Sequence, residues 1–261
     1  MNSEKCPHEK NETEENENSL VIYWAIFSQE RNWAASRLIQ KPPKWLQKDF
    51  LDLKNSGSRP EAYLQCPAHT SVKKDTLVFE CPFDFDFSID ENKNVVYGNS
   101  VSKDKQNYIY PTVFDKEEIN DKNRIAFSLN WRIILFAEES VEAELFPPYL
   151  HNSLTTKHGA LSSGKFDIGK WFRPISADYI LWNNNREFAG KLNEPWCYVR
   201  LNTNKKIILK EFKSNDLLQS IGSACTTSIH YDAKKTLQDR YDSFNESLRS
   251  VTLQEIKKNL L

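Results

Sequence analysis

The chain has 261 residues, of which 39% are hydrophobic and 12% aromatic, enough for one large buried core or two small ones. Its formal net charge is −1, which excludes an affinity for nucleic acid or a membrane surface through overall charge, so we expect neither as a partner. It also has no run near the roughly 18 apolar residues that a helix needs to span a bilayer.

The cysteines and the N-terminus together predict a cytoplasmic protein. Five cysteines make an odd number and show no disulfide-framework spacing. No signal peptide is expected, because the first residues are acidic and lack an apolar stretch. Free thiols in a reducing cytoplasm are the simplest interpretation.

Residues 1–18 are predicted to form a disordered acidic tail. They hold six glutamates against two lysines, a net charge of −4, which leaves +3 on the rest of the chain. Between Met1 and Leu20 the only apolar residue is Cys6. Such a segment cannot bury enough apolar surface to offset the entropy lost on ordering.

The first ordered elements are predicted to be a strand and a helix. Residues 20–27 form a continuous apolar run rich in β-branched and aromatic side chains, which indicates a buried strand. Residues 44–53 follow two prolines and place four apolar side chains at helical spacing, which predicts a helix.

Residues 76–88 show the clearest alternation in the chain. Phenylalanine and other apolar side chains fall on one face, and mostly acidic or small ones on the other, so a strand is predicted. Pro82 interrupts this pattern, which favours an edge strand or a bulge there. Residues 90–94 are predicted to turn into a returning strand at 95–97.

Further strands are predicted along the middle of the chain. Residues 124–138 read as one strand, and residues 142–146 are expected to pair back onto it. Another strand is predicted at 179–182. A hairpin is predicted between 195–201 and 206–212.

Towards the C-terminus the apolar period changes to that of helices. One helix is predicted to be capped by Ser214 and stopped at Gly222, and others to cover 232–249 and 252–261.

The predicted fold class is α+β, a mostly antiparallel and sandwich-like β core with one N-terminal helix and C-terminal helices. The predicted organisation is a tail at 1–18, a β-rich core domain at 19–225 and a helical segment at 226–261 packed on that core.

Residues 164–174 contain two of the seven glycines of the chain together with several aromatic and basic residues. Gly164 and Gly169 flank alternating aromatic and polar side chains, which predicts a short strand bent at both ends. Its backbone is expected to pass close to a ligand or another strand. Asp167 is interpreted as a paired structural carboxylate rather than a general base.

A candidate ligand-binding pocket is predicted around this segment. Loop histidines titrate near neutral pH, and tryptophan and arginine side chains bind rings and anions. The alternatives are solvated histidines and an ordinary core with arginines at its rim. The candidate residues are Trp131, His151, His158, Asp167, Trp171 and Arg173.

The candidate metal ligands are Cys66, His69 and Cys81, because zinc prefers tetrahedral sulfur and nitrogen ligands. A fourth ligand is not evident, although Cys225 or His230 could fold nearby. The favoured alternative is that the cysteines are small buried apolar residues. The sequence identifies no cofactor.

Two blocks of the chain, residues 163–175 and 196–207, resemble an uncharacterised family of proteins encoded by tailed phages of marine bacteria. The stretches 136–140 and 146–151 are similar to the same family, and the resemblance covers the chain from Leu20 onward. It implies a virus-encoded protein in a host cytoplasm. No activity is established for the family, so the resemblance assigns no catalytic residue.

Two functions are therefore hypothesised. The first is a phage-encoded accessory or structural protein, in the host cytoplasm or the virion, that binds a protein partner or itself. The alternative is a metal-dependent or small-molecule-binding enzyme that uses the candidate pocket. Recognisable catalytic motifs are missing from the sequence, which favours the first. A third hypothesis is binding to single-stranded nucleic acid, and its only support is strands that carry aromatic and basic side chains.

Overall fold

A computed structural model describes residues 18–27, 42–48, 51, 66–67, 74–106, 109–114, 124–182, 185–227 and 236–261. These residues form an α+β fold with several antiparallel sheets and helices that follow the last strand. The finer sandwich-like arrangement stays a prediction. Residues 1–17 of the predicted tail lie outside the described residues.

The strands are β1 (Ser19–Ile26), β2 (Lys44–Trp45), β3 (Thr76–Glu80), β4 (Phe85–Ile89), β5 (Val95–Tyr97), β6 (Tyr110–Val113), β7 (Ala126–Asn130), β8 (Ile133–Ala137), β9 (Glu142–Phe146), β10 (Gly159–Leu161), β11 (Gly164–Asp167), β12 (Ser176–Leu181), β13 (Glu187–Gly190), β14 (Pro195–Asn202) and β15 (Lys206–Glu211). The helices are α1 (Lys103–Gln106), α2 (Leu154–His158), α3 (Asp216–Thr227), α4 (Leu237–Ser247) and α5 (Arg249–Lys258).

The described strands pair into four sheets, with the orders β15-β1-β8, β10-β12-β7-β6, β11-β9-β14-β3-β2 and β13-β4-β5. Every pairing among them is antiparallel except that of β1 with β15. None of the helices in the described ranges is long and apolar enough to cross a membrane.

Two apolar clusters make up most of the core, and β1 contributes to both. Successive side chains of a strand point to opposite faces. Ile22 and Trp24 therefore enter a cluster to which all four sheets contribute, and Tyr23 and Ala25 enter the cluster under α3, α4 and α5. Aromatic rings fill the first cluster around Phe188, whose ring centroid lies 4.6 Å from that of Tyr179 and 4.9 Å from that of Phe127.

Several local predictions are confirmed. The first apolar run is a buried strand, β1. The alternating stretch is extended as predicted, but it is not one edge or bulged strand: it divides at Pro82 into β3 and β4, which lie inside different sheets. The turn at 90–94 joins β4 to β5 in an antiparallel pair.

The single strand predicted over 124–138 is wrong, because the chain turns a corner between β7 and β8. Arg132 has a φ of 59°, in the left-handed region that ends a strand. The side-chain Oδ1 of Asn130 accepts a hydrogen bond from the Arg132 N–H at 2.6 Å, which stabilises the corner. β7 and β8 consequently belong to different sheets.

Two predicted pairings are also wrong. β9 does not pair back onto 124–138, but lies between β11 and β14. The hairpin predicted between 195–201 and 206–212 does not form, because β15 pairs in parallel with β1. β1 is apolar on both faces, so it takes a central position with a partner on each side.

The helix predicted over 44–53 is not supported at its start, where Lys44 and Trp45 pair with β3 as β2. Leu46, Gln47 and Lys48 are helical, and most of the remaining positions lie outside the described residues.

The C-terminal helices are present with different bounds. α3 continues through Gly222. A Cβ at this position would lie 2.7 Å from the ring of Phe27, so a larger residue would not fit there. Asn215, rather than Ser214, accepts the N-terminal hydrogen bond, from the Leu218 N–H at 3.0 Å. α4 begins after a capping box formed by Thr236 and Asp239.

Candidate ligand-binding cavity

A cavity of about 330 Å³ opens between β7, β9, β11, β12 and the segment that joins β11 to β12. Its lining mixes apolar, hydroxyl and charged side chains. The lining residues are Phe114, Ser128, Leu145, Ser162, Ser163, Gly164, Lys165, Phe166, Trp171, Arg173, Ile175, Ser176 and Asp178.

One wall of the cavity is the polar face of the β7–β12 pair. Ser128 lies directly opposite Asp178 in the antiparallel register, and the hydroxyls of Ser128 and Ser176 are hydrogen-bonded to each other. The alternate residues of both strands, such as Phe127 and Tyr179, are buried in the core. Strand alternation therefore directs the serines and Asp178 away from the core and into the cavity.

A second wall is β11, an edge strand paired with β9. A Cβ built on Gly164 would meet no atom within 4 Å, so the cavity is open at this position. Lys165 forms ion pairs with Glu144 at 2.5 Å and Glu142 at 3.1 Å. Its hydrogen bond to Glu144 raises the pKa of Lys165, and the same bond lowers the pKa of Glu144. The positive charge of Lys165 is thus already balanced.

Arg173 is the charged group of the cavity that lacks an acidic partner. It is half-buried, and its guanidinium carbon lies 4.6 Å from the Trp171 ring centroid. Nη1 donates a long hydrogen bond of 3.4 Å to the Tyr241 hydroxyl. Nε is buried and has no hydrogen-bond partner, and no ion pair within the described ranges includes this residue.

The C-terminal helices hold the segment that carries Arg173. Tyr241 of α4 stacks on Trp171 with ring centroids 4.7 Å apart. Arg249 of α5 donates from Nε to the carbonyl oxygen of Gly169 at 2.8 Å. Phe172 is fully buried under the same helices. These contacts fix the position of the segment and hold Arg173 at the lining of the cavity.

Asp167 has the structural role that was expected for it. It accepts hydrogen bonds from the hydroxyl of Ser140, from the Val141 N–H at 3.1 Å and from the Gly169 N–H at 2.8 Å. The Nζ atom of Lys170 lies 3.6 Å from Oδ2 of Asp167. These contacts close the turn after β11, and Asp167 does not line the cavity.

The two histidines are also placed elsewhere. His151 is hydrogen-bonded through Nδ1 to the hydroxyl of Tyr198, a buried residue of β14. His158, at the end of α2, lies against Phe188 with ring centroids 6.2 Å apart, and burial lowers its pKa. Neither side chain lines the cavity.

Trp131 lies in the core, where it is 2% exposed and 5.3 Å from the Phe85 ring centroid. Of the six candidate pocket residues, the structure therefore brings Trp171 and Arg173 to the cavity and places the other four outside its lining.

The candidate metal ligands are described only in part. Cys81 is fully buried in the core, and burial raises the pKa of its thiol, whereas Cys66 is half-buried. His69 lies outside the described residues. In the ranges given above, no three His, Cys, Asp or Glu side chains are grouped so that they could hold a metal ion.

Sequence reasoning missed the polar wall of the cavity. Ser128 lies in the strand predicted over 124–138, whereas Ser176 and Asp178 precede the strand predicted at 179–182, because β12 begins at Ser176. Their proximity depends on which strands pair, and the sequence pattern does not specify this.

A second, more exposed groove of about 480 Å³ lies beside the turn from β14 to β15. Lys74, Lys205 and Lys206 contribute to its lining, and Lys205 is paired with Glu139 at 2.8 Å. Lysines in solvent need no ligand to satisfy them. The cavity at Arg173 is therefore the stronger candidate site.

Comparisons with family models, curated proteins and solved structures find no match. The resemblance to phage proteins stays a prediction, and the function is argued from the cavity.

Proposed function

We propose that this protein binds a small anionic molecule in the cavity at Arg173. The observation that carries the proposal is the half-buried Arg173 guanidinium, which lines the cavity and has no acidic partner within the described residues. A half-buried charge that has no opposite charge beside it is unfavourable. A carboxylate or phosphate in the cavity would supply that opposite charge.

Arginine suits this role because its planar guanidinium matches two oxygens of one anion. Arg173 is held before any ligand arrives, by Trp171 beneath it and by Tyr241. Binding then loses little side-chain entropy, which favours affinity.

The cavity supports binding more than a covalent reaction. The hydroxyls of Ser128 and Ser176 are hydrogen-bonded to each other, and Lys165 is engaged by two glutamates. Among the lining residues that the structure describes, there is no histidine that could activate a serine.

The test is thermal denaturation of the full chain with a panel of small carboxylates, amino acids among them, and phosphates at low salt. Ligands that bind the folded state raise the melting temperature. Gly164→Trp is the blocking variant, because Gly164 shares a strand face with Phe166 and has open space beyond it.

Val96→Trp is the matched control, since Val96 is 52% exposed on β5 and outside the cavity lining. We expect at least one anion to stabilise the wild type and the control but not Gly164→Trp. A panel without effect on the wild type, or an effect that survives in Gly164→Trp, would refute the proposal.

The second candidate is a phage-encoded accessory or structural protein that acts by protein contact in the host cytoplasm or the virion. Exposed apolar side chains on the C-terminal region favour it: Leu217 of α3 is 46% exposed, Val251 of α5 is 44% exposed and Leu261 is 63% exposed. Light scattering after size-exclusion chromatography tests self-association. A strict monomer at all accessible concentrations, with no change on Leu217→Lys or Val251→Lys, would count against it.

A further inference from the structure

We infer that the ligand is a small zwitterion of the amino-acid class, which carries one carboxylate and one ammonium group. This inference rests on the proposed function, because it names the ligand of the same cavity. It goes further by assigning the ammonium group to a second residue, Asp178.

Asp178 supplies a negative charge to the cavity wall formed by the β7–β12 pair. It lies on β12, its side chain is exposed, and it lines the cavity. No ion pair within the described part of the chain includes it. Its carboxylate is therefore available to a ligand.

The two charges share one cavity without neutralising each other. Their nitrogen and oxygen atoms form no ion pair, so they are more than 4.0 Å apart. A simple anion at Arg173 would be repelled by Asp178, and a simple cation at Asp178 would be repelled by Arg173. A molecule with both charges satisfies both groups.

Hydroxyl groups lie beside Asp178, where they suit an ammonium group. Ser128 faces Asp178 across the strand pair, and Ser176 is hydrogen-bonded to Ser128. An ammonium group has three donors and no acceptor. One carboxylate and neighbouring hydroxyl oxygens can accept those three hydrogen bonds.

The size and the apolar lining limit the rest of the ligand. A volume of about 330 Å³ is near the lower end of ligand pockets in proteins. Leu145, Phe166 and Ile175 provide an apolar surface for a side group. Trp171 is occupied by Arg173 and Tyr241, so it positions the guanidinium and is not an open platform for a ring.

The experiment is calorimetric titration of the full chain with three matched sets of probes. The first set is free amino acids with apolar side chains. The second is their N-acetyl derivatives, which lack the ammonium charge. The third is their amides, which lack the carboxylate. We expect the free amino acids to bind at least about threefold more tightly than either derivative, since each derivative lacks one of the two charge pairs.

Asp178→Asn is the decisive variant, because an exposed strand residue tolerates this isosteric change. It should weaken the binding of the free amino acids by about threefold or more and should not weaken that of the N-acetyl derivatives, which lose a repulsion. Arg173→Gln should weaken the binding of the free amino acids and should not weaken that of the amides. Asp104→Asn, at an exposed position of α1 outside the cavity, is the control and should have no effect.

The inference is overturned if N-acetyl derivatives bind as tightly as free amino acids, if Asp178→Asn leaves their affinity unchanged, or if only simple anions bind. If the probes that do bind lose affinity in Gly164→Trp, the proposed anion site stands and only the ligand class is wrong. If no probe depends on Gly164, the proposed function fails as well.

Discussion

The two glycines that flank the segment at 164–169 should respond in opposite ways to replacement by alanine. A Cβ on Gly164 meets nothing within 4 Å, whereas a Cβ on Gly169 would lie 2.0 Å from the carbonyl oxygen of Glu139. Glycine in a strand costs about 0.5–1 kcal/mol relative to alanine. We therefore expect Gly164→Ala to raise the free energy of unfolding by about that amount.

Gly169→Ala should instead destabilise the protein. The atom that the new Cβ meets is backbone, so the turn at 138–140 must move, and overpacking of this kind costs about 1–3 kcal/mol. The movement would also disturb the hydrogen bond from the Gly169 N–H to Asp167, which is 2.8 Å long. The two variants should thus differ by about 1.5–4 kcal/mol in stability.

The assay is equilibrium unfolding in urea, followed by tryptophan fluorescence, with the slope of the transition checked for constancy. Equal effects of the two substitutions, or a larger loss for Gly164→Ala, would refute the placement of this segment against the turn at 138–140.

Three further predictions concern the core and its charges. Burial raises the pKa of Glu138, but the hydrogen bonds that its carboxylate accepts from Tyr23 and Lys257 lower that pKa by more, so the net shift is downward. A lowered folded-state pKa gives stability that is present at neutral pH and lost as pH falls through it. The stability advantage of the wild type over Glu138→Gln should therefore fall by about 1 kcal/mol between about pH 7 and about pH 3 in urea titrations, and a constant difference would contradict this. Phe188→Ala should cost about 3–5 kcal/mol in the same assay, because this fully buried ring contacts several others; a loss below about 1 kcal/mol would argue against the aromatic core. Half-buried Cys66 should react with a thiol reagent much faster than Cys197, because burial raises the pKa of the Cys197 thiol. Mass spectrometry of labelled peptides measures both rates, and a faster reaction at Cys197 would contradict the prediction.

Local features of the fold were predictable because they depend on neighbouring residues. Alternation of side chains indicated β4, and the turn at 90–94 indicated its hairpin with β5. Apolar periodicity indicated the C-terminal helices. Each of these signals is contained within about twenty residues, so no knowledge of distant partners was needed.

Long-range pairing was not predictable from such patterns. β15 follows β14 after a short connection that suits a hairpin, yet it pairs in parallel with β1 from the opposite end of the chain. The apolar pattern also did not predict the corner at Arg132, because apolar residues continue on both sides of it. Neither pairing partners nor sheet changes are encoded by period alone.

The candidate site was predictable only in part, for the same reason. The segment at 164–174 gave Trp171 and Arg173, which do line the cavity. The histidines were grouped with them by proximity in sequence, but His151 belongs to the neighbourhood of β14 and His158 to that of Phe188. Asp178 could not be singled out before its strand was known to border the cavity.

The most direct test of the anion site is the side-chain Nε–H signal of Arg173 in nitrogen–proton NMR spectra. Its absence in Arg173→Gln assigns the signal. A free amino acid or simple carboxylate that stabilises the protein should shift this resonance, because the carboxylate binds the same guanidinium group. A ligand that binds and leaves this signal unchanged would contradict the central claim that Arg173 holds it.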